Sequence, residues 1–173
     1  MDITGTRSSP RAELAVTELY AGHALGLVRL AVLLVGDRAS AEDIVQDAFL
    51  GLYRRWDRLP DTSAPLAYVR VSVLNGCRTA LRRRTRALQV GNFTEPPAES
   101  AEAVALLSEE QRAVAGALRG LPERQREALV LRYYLDLSEA EIATAMGISR
   151  GTVKSATSRA LAAVGRTVRG EAS

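Results

Sequence analysis

Apolar residues recur at helical spacing in three segments of the first half of the chain: residues 11–35, 40–58 and 65–84. In the second segment the apolar side chains stand at i, i+4, i+7 and i+11, which places them on one side of an α-helix. The members of this stripe are Val45, Phe49, Leu52 and Trp56. The first segment has the pattern of one broken helix or of two consecutive helices. The first half is therefore predicted to be helical.

Polar, glycine and proline residues mark where these helices begin and end. Gly36 and Asp37 end the first segment. Ser40 is the expected N-cap of the second, because a serine hydroxyl can accept a hydrogen bond from a free N–H of the first turn. Pro65 lies in the first turn of the third helix, where its missing N–H costs nothing.

Residues 138–164 predict two short helices separated by a tight turn. Ser138 and Glu141 have the spacing of a capping box, in which each side chain bonds the backbone N–H of the other residue. Gly147 follows the first helix at a position where a left-handed turn suits glycine. Ser149 is the expected cap of the second helix. This arrangement indicates a helix-turn-helix, and the alternative is an ordinary helical hairpin in a bundle.

The outer face of the second of these helices favours DNA binding over a plain hairpin. Apolar residues are expected to face inward, namely Val153, Ala156, Ala160, Leu161 and Val164. Cations and small hydrogen-bond donors remain outside, and the first turns of such a helix enter the major groove of DNA. The residues expected near DNA are Arg150, Thr152, Lys154, Ser155, Ser158 and Arg159.

Two further charged faces are predicted in the first half. The helix at 40–58 has an acidic face with one apolar residue, Leu50, which fits a docking surface and fits a solvated face about as well. The end of the third segment holds five arginines in nine residues, and this charge suits phosphate binding. They are Arg78, Arg82, Arg83, Arg84 and Arg86. A preference of cations for helix C-termini explains one or two of them.

Composition limits the domain layout and the chemistry. No basic residue lies between Ala87 and Gln111, a stretch with five glutamates and two adjacent prolines. This is linker composition. We therefore expect two small domains, 11–86 and 108–168, joined by a flexible acidic linker at 87–107. Beyond it, Val114 is among the residues expected to form a second small core.

The single cysteine and single histidine cannot form a disulfide framework, a zinc site or a catalytic pair. No set of nucleophile, base and oxyanion donors is present, so neither enzyme activity nor a cofactor is expected. The most apolar run, Ala24 to Val35, is 12 residues long and contains Arg29. A membrane span needs about 20. This run is therefore expected to be a buried helix, with no membrane insertion, in a cytoplasmic protein.

The run "LPERQREALVLRYYLDLSEAEIATAMGISRGTVKS" resembles the promoter-binding region 4 of bacterial sigma factors. "AEDIVQDAFLGLYRRWDRL" resembles their region 2.2, and the whole resemblance covers roughly residues 14–168. LuxR-type regulators share the "EIA…IS…TVK" run. The sigma family is favoured because the match extends upstream to Leu121–Pro122 and Gln125–Arg126, and because of the second block. The missing region 3 and the scarcity of aromatic residues, with only Tyr68 in the promoter-melting stretch, resemble extracytoplasmic-function (ECF) sigma factors of the actinobacterial sigma-E type.

The resemblance implies an all-α fold with a region 2 bundle and a region 4 helix-turn-helix, and it assigns three binding surfaces. Region 2.2 would dock on the polymerase clamp through Glu42, Asp43, Gln46, Asp47 and Leu50. Regions 2.3 and 2.4 would melt and read the minus-ten element through Asp61, Tyr68, Asn75, Arg78, Arg82 and Arg83. Region 4 would read the duplex minus-35 element through the six residues of the recognition helix given above.

The expected partners are then core RNA polymerase, through its clamp and flap, and double-stranded and melted promoter DNA. An anti-sigma factor is a further candidate partner. When bound to polymerase, the protein would associate with the nucleoid. Two other classes remain open from the residues alone: a conventional helix-turn-helix regulator, and a helical adaptor that binds only proteins.

Overall fold

The computed structural model describes residues 10–60, 64–91 and 109–170. Seven α-helices lie in the described ranges, which hold no strand, in agreement with the predicted all-α class. They are α1 (Pro10–Val35), α2 (Arg38–Arg55), α3 (Pro65–Gln89), α4 (Glu109–Arg119), α5 (Glu123–Tyr133), α6 (Glu139–Met146) and α7 (Arg150–Val168). A single 3₁₀ turn, Trp56–Arg58, extends α2.

The junction between α1 and α2 corrects the predicted cap. Gly36 has a φ of 85°, the left-handed conformation that ends α1, and its N–H donates to Val32 O at 2.8 Å. Asp37 then caps α2, because its Oδ1 accepts from the Ser40 N–H at 2.8 Å. Ser40 as the cap was therefore wrong: it lies inside the first turn and supplies the N–H. The first segment is also one continuous helix.

Helix α3 begins at the predicted proline and ends later than expected. Pro65 occupies the first turn, and no side chain caps the helix at Ala64. The helix continues to Gln89, whereas the apolar pattern predicts an end near Arg84. Residues 61–63, including Asp61, lie outside the described residues, as do residues 92–108 of the predicted linker.

Helices α1, α2 and α3 pack on one another and bury an aliphatic core. Its fully buried members are Leu30, Leu52, Leu74, Val45, Val69, Val73 and Cys77. The four C-terminal helices bury a smaller core around Leu131, Ile142 and Val153. Two residues predicted for that core are not in it: Leu161 is 50% exposed and Val114 is 42% exposed.

The two halves also pack against each other. Helix α5 lies against α1, and α6 lies against α3. Their buried side chains join one continuous cluster that contains Leu34 and Cys77 from the first half and Leu121 and Leu131 from the second. The contact between the halves therefore limits which surfaces of each half are free to bind other molecules.

Helix α1 is long and apolar enough to cross a membrane by length and composition. However, Leu27, Leu30, Leu34 and Val35 are buried inside the protein. An apolar helix whose stripe is covered by neighbouring helices is a core helix, and this explains its hydropathy.

Candidate nucleic-acid and polymerase interfaces

The helix-turn-helix is formed by α6, α7 and the turn between them, as predicted. Ser138 Oγ accepts from the Glu141 N–H at 3.2 Å, and Glu141 Oε2 accepts from the Ser138 N–H at 2.8 Å. These hydrogen bonds lower the pKa of Glu141 below its ordinary value. Gly147 has a φ of 65° and a ψ of 37°, so the expected left-handed turn is present. Ser149 Oγ accepts from the Thr152 N–H at 3.1 Å and caps α7.

The outward face of α7 carries every residue that the sequence assigns to duplex DNA. All six of these residues are exposed, whereas Val153 and Ala160 are fully buried. Thr152 is partly committed to the cap, since its hydroxyl lies 2.8 Å from Ser149 Oγ in a hydrogen bond. The face therefore offers cations and small polar groups on a helix whose N-terminus is well fixed.

The acidic face of α2 points away from the core. Asp43, Gln46, Asp47 and Leu50 are exposed, and Leu50 is 49% exposed despite its apolar side chain. Glu42 differs from the others because Arg38 Nε donates to its Oε1 at 2.6 Å across one turn of the helix. The face thus combines two carboxylates with one unburied aliphatic residue.

An open groove of about 520 Å³ runs between α2 and α3. One wall holds Asp43 and Asp47, and the other holds Tyr68, Ser72 and Arg83. The residues predicted for polymerase and some of those predicted for melted DNA therefore meet at one groove. Its two walls approach each other closely at Gly76 on α3 and Ile44 on α2. A Cβ added at Gly76 would lie only 2.7 Å from Ile44 Cγ2.

The arginine-rich end of α3 is not a uniform phosphate-binding stripe. Arg84 holds the fold: its Nη1 donates to Val35 O at 2.7 Å, and its Nη2 donates to Asp37 Oδ2 at 2.9 Å. It thereby bonds the C-terminus of α1 and the cap of α2. Arg82 and Arg83, in contrast, are exposed, as is Asn75.

Arg78 is bound by the other half of the protein. Its Nε donates to Glu127 Oε2 at 3.1 Å, and its Nη2 donates to Glu127 Oε1 in a second, shorter bond. Its Nη1 donates to Asn75 Oδ1 at 3.1 Å. Glu127 is only 3% exposed, and burial raises its pKa, although the hydrogen bonds from Arg78 oppose that effect. Sequence reasoning missed Glu127, and no local signal identifies it.

A second arginine connects the halves. Arg126 Nη1 donates to Leu34 O at 3.0 Å, and its other N–H groups donate to the carbonyls of Leu118, Arg119 and Leu121. It therefore satisfies carbonyls at the C-termini of both α1 and α4. The groups of three or more carboxylate, thiol or imidazole residues that a metal ion would need do not occur in the described part of the chain.

Comparison with known proteins matches both halves of the chain. A family model described as "Sigma-70 region 2" matches residues 19–87, and one described as "Sigma-70, region 4" matches residues 111–164. The chain is 36% identical over 141 residues to the RNA polymerase sigma-E factor of Streptomyces avermitilis, covering 79% of this chain and 75% of that protein.

Two further similarities cover similar shares of the chain. The chain is 34% identical over 140 residues to the ECF RNA polymerase sigma factor SigL of Mycobacterium tuberculosis, covering 79% of each. Among solved structures, it is similar to the sigma factor RpoE of Bartonella quintana in complex with the anti-sigma factor NepR. That similarity has a TM-score of 0.74 and 25% identity, and it covers 90% of this chain and 97% of the other.

Proposed function

Because the chain belongs to the sigma-70 family, in its ECF class, we propose that three surfaces of its helices serve polymerase binding, promoter melting and promoter recognition. As an ECF sigma factor it binds core RNA polymerase and directs promoter-specific transcription initiation, and it is not an enzyme. The LuxR-type alternative is not supported, because the family matches cover the N-terminal half as well as the helix-turn-helix.

The acidic face of α2 is the proposed polymerase surface, with Glu42, Asp43, Gln46, Asp47 and Leu50 as its contacts. The observation that supports it is that two exposed carboxylates, Asp43 and Asp47, share this face with exposed Leu50 in the segment that the region 2 family model matches. Asp43→Arg combined with Asp47→Arg should abolish co-purification with core polymerase without unfolding the protein. The core stripe is untouched in this variant, so wild-type binding by a folded double variant would refute the assignment.

The minus-ten surface is proposed to comprise Tyr68 in the groove and Asn75, Arg78, Arg82 and Arg83 along α3, together with Asp61, which precedes α3 in the sequence. An aromatic side chain can stack on an unpaired base, and each guanidinium can bind phosphate. Replacing either Arg82 or Arg83 with alanine should weaken DNA binding and lower the salt slope by about 1. An unchanged salt slope in both variants would remove these two residues from the surface.

The minus-35 surface is proposed to be the outer face of α7, through Arg150, Thr152, Lys154, Ser155, Ser158 and Arg159. The observation that carries the proposal is the capped helix N-terminus with all six side chains exposed around it. A cation bound to a base edge contributes about 1–3 kcal/mol of discrimination, whereas a phosphate contact weakens all sequences equally.

Run-off transcription with core polymerase on a promoter library tests this surface. Lys154→Ala and Arg159→Ala should both reduce transcription from the preferred promoter while the circular dichroism spectrum stays unchanged. Arg166→Ala is a matched control, because Arg166 is an exposed cation on the last turn of the same helix. If both test variants transcribe as well as the control, α7 is not the reader.

The proposed layout has domains at 11–86 and 108–168 with a linker at 87–107, and the positions of the two family matches support it. The first residues of that linker, up to Gln89, belong to α3, so its flexible part is proposed to begin after this helix. Limited proteolysis should cut first within the linker and leave two resistant fragments, and a first cut inside α2 or α3 would contradict this layout.

The protein acts in the cytoplasm, where we expect it to associate with the nucleoid when bound to polymerase.

An anti-sigma factor is a proposed further partner. The support for this is that RpoE, a similar protein, is held in a complex with one. Affinity purification of the tagged chain from its own cells, followed by mass spectrometry, tests the proposal. Recovery of core polymerase subunits without any additional stoichiometric protein would count against it.

A further inference from the structure

We propose that Glu127 is an intramolecular competitor of promoter DNA: its carboxylate occupies the Arg78 guanidinium, holds the two halves of the protein closed, and must leave before Arg78 can bind a DNA phosphate. This inference rests on the proposed function, which assigns Arg78 to the minus-ten surface. It adds a regulatory contact between the minus-35 half and the minus-ten half of the same chain.

The geometry of the contact is that of phosphate recognition. Two N–H groups of Arg78 point at the two oxygens of Glu127, and this parallel fork binds carboxylate and phosphate in the same way. The remaining bonded nitrogen of Arg78 donates to Asn75, another residue of the proposed minus-ten surface. In the closed protein Arg78 is bound to both Asn75 and Glu127, so the guanidinium fork is not available to DNA.

Because the ion pair of Arg78 and Glu127 is buried, opening of the two halves must bring both of its charges into water together. The Glu127 side chain is 4% exposed and that of Arg78 is 22% exposed. An ionised carboxylate held this far from water needs its cation, because leaving a buried charge unpaired is strongly unfavourable. When the halves open, both ions are rehydrated, and this hydration offsets part of the loss of the pair.

Two further arginines lie where the halves meet. Arg126 on α5 bonds the Leu34 carbonyl at the end of α1. Arg70 on α3 lies close enough to α6 to contribute to the lowered pKa of Glu141, although its effect is smaller than those of the capping hydrogen bonds and of burial. Arg70 Nε is itself buried without a hydrogen-bond partner. Domain interfaces that bury charged and incompletely paired groups resemble transient interfaces, which can separate.

The only cysteine of the chain is a native reporter of this interface. Cys77 is 2% exposed and lines a small cavity together with Arg78, Glu123, Arg126 and Glu127. Burial, and secondarily the charge of Glu127, raises the pKa of its thiol to about 12. Since the thiolate is the reactive form, the closed protein should react slowly with a disulfide reagent, and the open protein should react fast.

The first experiment measures thiol reactivity of the full chain with a disulfide reagent in Glu127→Gln. This nearly isosteric change removes the charge that holds Arg78, so we expect Cys77 to react at least about tenfold faster, in proportion to the larger open fraction. Removing the Glu127 charge also lowers the pKa of the thiol directly, so Arg78→Gln is measured beside it: loss of the Arg78 charge raises the pKa of the thiol, and a faster reaction in that variant therefore reports opening. Glu123→Gln is the matched control, because it removes one carboxylate from the same helix and the same cavity lining without touching the pair. Circular dichroism monitors folding.

The second experiment measures binding of Glu127→Gln and Glu123→Gln to a fluorescent, random-sequence, single-stranded DNA oligonucleotide. The apparent affinity of a ligand falls with the fraction of protein that is competent to bind it, so freeing Arg78 should tighten binding. Both variants lose one negative charge, and the difference between them therefore isolates the effect of opening. If Glu127→Gln equals Glu123→Gln in thiol reactivity and in DNA affinity, the closure proposal is wrong.

A charge exchange separates this proposal from the one on which it rests. Arg78→Glu alone should open the protein and weaken DNA binding, and adding Glu127→Arg should restore slow Cys77 reactivity by re-forming the pair in reverse. DNA binding and transcription should stay low in that double variant, because residue 78 is then acidic. If both recover, Arg78 is not a DNA contact, and the minus-ten assignment of this residue fails while closure stands. If Cys77 remains fast in the folded double variant, the pair does not hold the halves together.

Discussion

Adding a single carbon at Gly76 tests a close approach between the helix proposed to bind polymerase and the helix proposed to bind melted DNA. The new Cβ of Gly76→Ala would stand 2.7 Å from Ile44 Cγ2, whereas carbon atoms in contact prefer about 3.5–4.0 Å. The next nearest atoms of Ile44 lie at 3.5 and 3.6 Å, so one methyl group causes the whole conflict. Because a β-branched side chain in a helix has one strongly preferred rotamer, this methyl cannot rotate away freely.

The expected change in the free energy of unfolding of Gly76→Ala is the difference between a packing cost and a gain in helix propensity. Overpacking by one carbon costs about 1–3 kcal/mol, and replacing glycine with alanine inside a helix recovers about 1 kcal/mol. Gly76→Ala should therefore lower the free energy of unfolding by about 0–2 kcal/mol. Gly22→Ala in α1 is the control, since its Cβ meets nothing within 4 Å, and it should raise that free energy by about 0.5–1 kcal/mol.

Urea denaturation of a double-mutant cycle measures the conflict directly. In the Ile44→Ala background the obstructing methyl is absent, so adding Gly76→Ala should become stabilising. In the Ile44→Val background the γ-methyl groups remain, and the penalty should persist. If Gly76→Ala stabilises the wild-type chain as much as Gly22→Ala does, with no coupling to residue 44, then α2 and α3 do not approach this closely.

Three further predictions concern single residues of the second half. Ser138→Ala should raise the pKa of Glu141 toward its ordinary value in an NMR titration, and an unchanged pKa would exclude the capping box. In the wild-type chain the capping box stabilises the fold at pH values above the ordinary pKa of Glu141, and this contribution is lost as the pH falls through the lowered pKa. Asp136 has a φ of 53°, so Asp136→Ala should destabilise by about 1 kcal/mol and Asp136→Gly should be nearly neutral in urea denaturation; equal effects would contradict the left-handed turn. Ser149→Ala should cost about 1 kcal/mol and Ser149→Asp much less, unless another group caps α7.

The helix-turn-helix could be predicted closely because its signals are local. A capping box needs two side chains three residues apart, and a left-handed turn needs one glycine, so the sequence window around Ser138 and Gly147 contains the whole interaction. The cap of α2 shows the limit of such signals. Asp37 and Ser40 are both good caps by residue type, and the left-handed turn at Gly36 decides between them, since it ends α1 directly before Asp37.

Burial of single apolar residues was harder to predict, because it depends on what lies opposite them. Leu161 continues the apolar spacing of α7 but is half exposed, as is Val114 on α4. Spacing identifies the side of a helix on which a residue lies, and it carries no information on how far the neighbouring helices extend along that side.

The arginines of α3 show why charge counting cannot assign function. Arg84 finds its partners 47 and 49 residues earlier in the chain, and Arg78 finds Glu127 49 residues later. No pattern within one helix distinguishes these residues from exposed Arg82, so they appear as one stripe. The contacts predict three different outcomes when one of these charges is removed. Arg84→Ala should lower stability, and Arg78→Ala should open the protein. Arg82→Ala should weaken DNA binding and lower its salt dependence, with stability and closure unchanged. A stripe that serves phosphate binding alone would give the third outcome at all three positions.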